Sequence, residues 1–243
     1  NNYSQFFKFF LIIIVKNISE QKLKFYGRKV GRGLSARKKT LLKSNLEKIL
    51  ITDISNYSNH KIVKFFDKQY KEICLEVGFG DGSFLIDQAI KRPHVGFLGC
   101  DFYLNGIANL TEKIIDNKIN NIKICMEHIY SLLSILEEKM LSSVFILFPD
   151  PWHKKKHFKR RILNIESIKK FQIVMKKHAK IFIVTDSDSY MNWIMEHFSL
   201  NKSFSFVKNC ERSFIRQFDL DTKYFHKATM NKKQVHFLSY IKE

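Results

Sequence analysis

At 243 residues, 45% of them hydrophobic and 23 of them Phe, the chain is long enough to bury one sizeable core. Its 42 Lys and Arg against 23 Asp and Glu leave a formal charge of +19, which favours a polyanionic partner. Four cysteines, Cys74, Cys100, Cys125 and Cys210, form no CxxC pair, so neither a metal site nor a disulfide framework is expected, and a reducing, cytoplasmic setting is.

In chain order, Phe6 to Val15 is apolar apart from Lys8. A run of about ten residues cannot span a bilayer, which takes roughly twenty, so no membrane association is expected. Residues 1–25 are read as a leader without an assigned role. Residues 26–60 form a basic N-terminal arm and helix, opening with Gly27-Arg28-Lys29-Val30-Gly31-Arg32. Glycines there let the backbone bend while the cations stay mobile, which suits either an arm along phosphates or an ordinary flexible linker.

Residues 61–243 read as a single domain. Short apolar runs predict strands at Ile73–Gly78, Gly96–Asp101, Ile122–Met126, Val144–Phe148 and Ile181–Thr185. Amphipathic stretches between them predict helices near Ser83–Lys91, Leu104–Asn117, Tyr130–Lys139, Ile162–His178 and Ser189–Phe198. Two further strand candidates, Phe204–Lys208 and Gln234–Ile241, close the chain. Such alternation predicts an α/β fold, a doubly wound, mostly parallel sheet with helices on both faces.

Two loops carry chemistry. After the first strand, Gly78, Gly80 and Gly82 allow positive φ and close approach of a ligand, with Glu76 before them and Asp81 among them. Asp101, 25 residues beyond Glu76, ends the second strand, where an acid accepts hydrogen bonds from a ribose diol. A dinucleotide and S-adenosylmethionine both fit so far. Acids around the glycines repel a pyrophosphate and suit the cationic sulfonium and amino groups of S-adenosylmethionine, which favours the latter. After the fourth strand, Pro149 and Pro151 restrict Asp150 in the loop where open α/β sheets place ligands. Trp152 follows, open to stacking on a base or packing beneath the loop, and then a cationic run through Arg161.

These blocks resemble the bacterial tRNA (guanine-N7-)-methyltransferases, a branch of the class I, Rossmann-like methyltransferases. The resemblance covers roughly Gly27 to the C-terminus and is most specific at residues 149–161. It implies a seven-stranded sheet with a basic N-terminal extension, S-adenosylmethionine as cofactor, tRNA as partner and no metal. It implies cofactor binding by Glu76, Gly78, Gly80, Gly82, Asp101, His128 and Asp150, with Asp150 as the catalytic acid. Substrate contacts are implied at Lys154, Asp186, Thr222, Lys223, Tyr224 and Phe225. Lys159, Arg160 and Arg161 are expected to hold the tRNA backbone. The chain departs from the family pattern at Asp101 (usually Glu), at Glu127-His128-Ile129 (usually containing Asp-Ala) and at Phe225 (usually Glu).

The expected reaction is methylation of guanosine 46 at N7 in the tRNA variable loop. N7 carries a free lone pair, so the site needs alignment and charge stabilisation more than a strong base. A non-catalytic RNA-binding protein with a degenerate cofactor pocket and a methyltransferase of another RNA are the alternatives. A monomer or weak homodimer is expected.

Overall fold

The computed structural model describes residues 33–51, 66 and 70–243. In chain order the elements are α1 (Ala36–Ile49), β1 (Glu72–Val77), α2 (Ser83–Lys91), β2 (Val95–Cys100), α3 (Leu104–Asp116), β3 (Ile122–Cys125) and α4 (Ile129–Ile135). Next come β4 (Leu141–Leu147), a 3-10 turn (Lys155–Arg160), α5 (Ile165–Val174), β5 (Met175–Thr185) and α6 (Asp188–Ser199). The chain ends with β6 (Phe204–Phe206), α7 (Cys210–Phe218), α8 (Lys223–Met230) and β7 (His236–Lys242). The leader and the Gly27–Arg32 block lie outside the described residues.

Strands β1 to β5 pair in parallel, and β7 lies antiparallel between β5 and β6, giving the order β3-β2-β1-β4-β5-β7-β6. The expected doubly wound, mostly parallel seven-stranded sheet is therefore present. Its two faces follow from the period-2 geometry of strands. Leu75, Val77, Val144, Ile146, Ile181 and Ile183 point into one cluster with α4, α5 and α6. Cys74, Phe145, Leu147, Phe182 and Val184 point into the other, with α1, α2, α3 and α7.

Helix α1 belongs to that second layer. Ser35 caps it by accepting from Lys38 N–H at 3.3 Å. Leu42 and Leu46 are buried, and Arg37 pairs with Glu112 of α3 at 3.0 Å. Beyond the helix, Ile51 N–H donates to Ile124 O at 2.8 Å, so the segment continues the sheet past β3.

Three features differ from expectation. The helix predicted over Ile162–His178 begins only at Ile165, where Asn164 and Ser167 form a capping box, and stops at Val174. The run from Met175, rich in helix-favouring lysines, pairs with β4 instead, through an irregular register between Leu141 and Ser143. Sheet pairing overrides propensity there. The helix predicted over Tyr130–Lys139 ends at Ile135, and Lys139 takes a left-handed φ of 56°.

The third difference bears on function. Between β6 and β7 the chain forms α7 and α8, neither of which was anticipated. Phe214 and Phe218, one turn apart on α7, meet Phe145 and Phe182 of the sheet with ring centroids 4.9–6.4 Å apart. This docking carries α8 to the carboxyl edge of the sheet. Phe145→Ala should cost about 3–5 kcal/mol of unfolding free energy in urea titrations, since Phe145 is buried against the rings of Phe84, Phe182, Phe214 and Phe218.

Candidate active site

The carboxyl ends of β1, β2 and β4 meet at one edge. Gly78, Gly80 and Gly82 all have positive φ, and Gly82, at +74°, is the N-cap of α2. The turn is held from the side by Asp101. Its Oδ2 accepts from Gly80 N–H at 2.7 Å, and its Oδ1 from Phe102 and Tyr103 N–H at 2.6 and 2.9 Å. Helix α3 then abuts the turn so closely that a Cβ on Gly106 would meet Gly80 O at 1.7 Å. Only glycine fits at that contact.

Four carboxylates converge on this edge. Glu76 is 3% exposed, and its Oε2 has no hydrogen-bond partner among the described residues. Burial raises its pKa well above the usual carboxylate range, and Asp101 and Asp81 raise it further. Burial also raises Asp101, against the lowering effect of its backbone donors, with Asp150 adding to the rise. Asp150 opens to solvent, yet the crevice walls desolvate its carboxyl enough to raise its pKa. None of the four is ion-paired with Lys or Arg among the described residues. An acid cluster with a buried orphan oxygen is complementary to a cationic ligand.

Asp150 sits between two strained positions. Phe148 and Trp152 take left-handed φ of 51° and 47°, which is costly for aromatic residues. Phe148 N–H donates to Val184 O at 2.7 Å, and its ring stacks with Tyr224 of α8 at 6.2 Å. Tyr224 is 55% exposed, and its Cε2 would lie 3.8 Å from a Cβ on Gly80. It therefore overhangs the glycine turn. The Trp152 face is taken by Arg160, whose Cζ is 4.9 Å from the ring centroid, so it neither enters the core nor stands bare. Lys154 and Lys159 are exposed on the turn that follows.

The other expected site residues are distributed differently. Arg161, expected on tRNA phosphate, is 1% exposed and cannot reach a backbone there. Phe225, expected at the substrate, is half-buried and packs against the core near Phe237. Thr222 Oγ1 caps α8 by accepting from Phe225 N–H at 3.2 Å, while Lys223 is exposed. Asp186 Oδ2 accepts from Lys233 at 2.6 Å. His128 caps α4, its Nδ1 accepting from Tyr130 N–H at 3.3 Å, and burial lowers its pKa. Beside it, Glu127 Oε1 is buried without a partner among the described residues, an open acceptor just after β3 that was not among the expected site residues. No cluster of three or more His, Cys, Asp or Glu among the described residues is arranged to hold a metal ion, and no helix is long and apolar enough to cross a membrane.

A mostly parallel sheet in the order β3-β2-β1-β4-β5-β7-β6, with this glycine turn and its unpaired acids at the carboxyl edge, is the architecture of the class I S-adenosylmethionine-dependent methyltransferases. The family model "Putative methyltransferase" matches residues 70–238. The tRNA (guanine-N(7)-)-methyltransferase of Bartonella henselae is 30% identical over 223 residues, spanning 90% of this chain and 95% of its own. That of Wolbachia pipientis wMel is 31% identical, spanning 84% and 89%. The solved aminoglycoside resistance methyltransferase NpmB1 shares the fold with a TM-score of 0.52 at 18% identity, over 72% of this chain and 88% of that one. The chain belongs to the tRNA (guanine-N7-)-methyltransferase family.

S-adenosylmethionine fits the residues present. Its amino group suits the orphaned Glu76 oxygen, and its positive charge relieves the repulsion among the acids. Asp101 has one acceptor position left for a ribose hydroxyl after its backbone bonds. Because the raised pKa of Glu76 means that the free fold holds its proton more tightly than the unfolded chain, Glu76 costs stability as pH rises from its ordinary range through the raised value. Glu76→Gln should flatten that slope in thermal melts. It should also lower S-adenosylhomocysteine affinity, measured calorimetrically, by roughly 2–5 kcal/mol.

Proposed function

We propose that this chain is the enzyme that methylates N7 of guanosine 46 in the variable loop of tRNA. The observation that carries the reading is the adjacency of two opposite surfaces. Asp150 stands at the acid crevice, and within a few residues the chain turns into an exposed cationic segment, Lys154 to Lys159.

Each surface has a separate task. When bound, S-adenosylmethionine supplies a methyl whose bond to sulfur breaks as the bond to N7 forms. Guanine N7 has no proton to lose, so the chain's work is to align the base and stabilise the cation it becomes. Asp150 suits that role as a preorganised carboxylate, accepting from the guanine N1–H and N2 amino donors or facing the developing charge. Tyr224, exposed above the glycine turn, offers a face for a base. Lys154, Lys159 and Arg160 supply phosphate contacts, which give affinity rather than sequence choice. The intact set of Glu76, Asp101 and Asp150 supports an active enzyme over an RNA-binding protein with a degenerate pocket.

The test is transfer of isotope-labelled methyl to tRNA lacking the modification, followed by mass-spectrometric mapping. Label at guanosine 46 as 7-methylguanosine is expected; no transfer, or label in another nucleotide, would sink the reading. Asp150→Ala should lower turnover by roughly 100-fold or more, comparable to removing a preorganised charge-stabilising group. Cofactor affinity should stay near that of the parent. Since burial raises the pKa of Asp150, the rate should fall in acid at a pH above the ordinary aspartate range. A pH–rate profile checks this.

A further inference from the structure

Arg161 occupies an unusual environment for a cation. It is 1% exposed, and no carboxylate lies within ion-pair distance of it among the described residues. Its guanidinium is instead enclosed by three rings, with Cζ 3.8 Å from the centroid of Phe158, 4.9 Å from Tyr190 and 5.1 Å from Trp193. Its donors go to neutral oxygens. Nε donates to Pro151 O at 2.8 Å, and the terminal nitrogens donate to Ser189 O and Ser189 Oγ, each at 3.3 Å.

Such a site is expensive. A buried charge without a counter-ion costs more than an apolar side chain of the same size, so its retention needs a reason other than stability. The loop it touches supplies one. Pro149 and Pro151 have no N–H, and the N–H of Phe148 is already committed to Val184. A loop so short of donors, strained at Phe148 and Trp152, depends on outside groups to stay in one conformation. Arg161 is such a group, and its planar fork reaches two elements at once.

We propose that Arg161 is the positioning residue for Asp150. It clamps the Pro151 carbonyl to the first turn of α6 and so fixes where the neighbouring carboxylate points. The same residue ends the cationic turn, its N–H donating to Phe158 O at 2.9 Å. Its carbonyl accepts from Asn164 Nδ2 at 3.2 Å, and Asn164 caps α5. Trp193 is itself fixed by donating to Leu163 O at 2.6 Å. Arg161 thus links the phosphate-holding turn to the Asp150 loop, and seating of tRNA on Lys154 and Lys159 is transmitted to the carboxylate through one rigid side chain. The inference rests on the role given to Asp150 above.

The experiment compares parent, Arg161→Lys and Ser189→Ala in single-turnover methyl transfer to tRNA, with S-adenosylhomocysteine affinity and thermal midpoint measured on the same samples. A misplaced carboxylate should slow transfer in Arg161→Lys by roughly tenfold to a hundredfold. Cofactor affinity should stay within about twofold, because the cofactor-side carboxylates, Glu76 and Asp101, are not touched. Ser189→Ala, which removes one acceptor and leaves the charge in place, should slow transfer less and in the same step. An unchanged rate in both variants overturns the proposal. So does a rate that falls only together with cofactor affinity and thermal midpoint, the pattern of general loosening. If Arg161→Lys does not fold, Ser189→Ala decides by the same criteria. Failure of the parent to methylate tRNA would instead remove the underlying functional reading.

Discussion

Three backbone N–H groups end on one carboxylate, that of Asp101, and the active edge is referred to that junction. Gly80 is drawn to the end of β2, and the start of α3 is turned back by the bonds to Phe102 and Tyr103. That brings Gly106 against Gly80 O. The glycine turn is therefore not a loose loop that a ligand must order. Its conformation exists beforehand, so a cofactor need not meet the cost of ordering it. Its bonding to three amides leaves the Asp101 side chain little freedom.

The charge distribution completes the arrangement. A chain with net charge +19 gathers Glu76, Asp81, Asp101 and Asp150 at one edge without a basic partner for any of them among the described residues. The crevice is thereby complementary to a small cation, while the lysines at its rim are complementary to a polyanion. Each ligand is disfavoured on the other's surface. Between the two surfaces stands the Asp150 loop, whose position depends on an arginine that was expected to face solvent.

The parallel strands were legible because each fully buried run, such as Leu75 with Val77 or Val144 with Ile146, is short, apolar and flanked by turn residues. Glu76, the glycines and Asp150 were legible because their loops break that pattern with residues of distinct backbone character. Helices α7 and α8 were not, since Phe214 and Phe218 lie on a stretch rich in charged and polar residues, and their partners Phe145 and Phe182 are remote in sequence. Arg161 was misread for a related reason. It closes a cationic run, and nothing in the run separates it from Arg160; two of the three rings that cage it, Tyr190 and Trp193, come from α6. Met175 and the lysines after it have helical character, and only pairing with β4 makes them a strand.

The account depends most on Glu76 being the anchor of a cationic cofactor whose reacting end faces Asp150. A crystal structure of the chain with S-adenosylhomocysteine tests it directly. The predicted result has the ligand amino group hydrogen-bonded to Glu76, a ribose hydroxyl on Asp101 and the sulfur directed at the Asp150 loop. A ligand bound elsewhere, or one that leaves the Glu76 carboxylate unpaired, would contradict it.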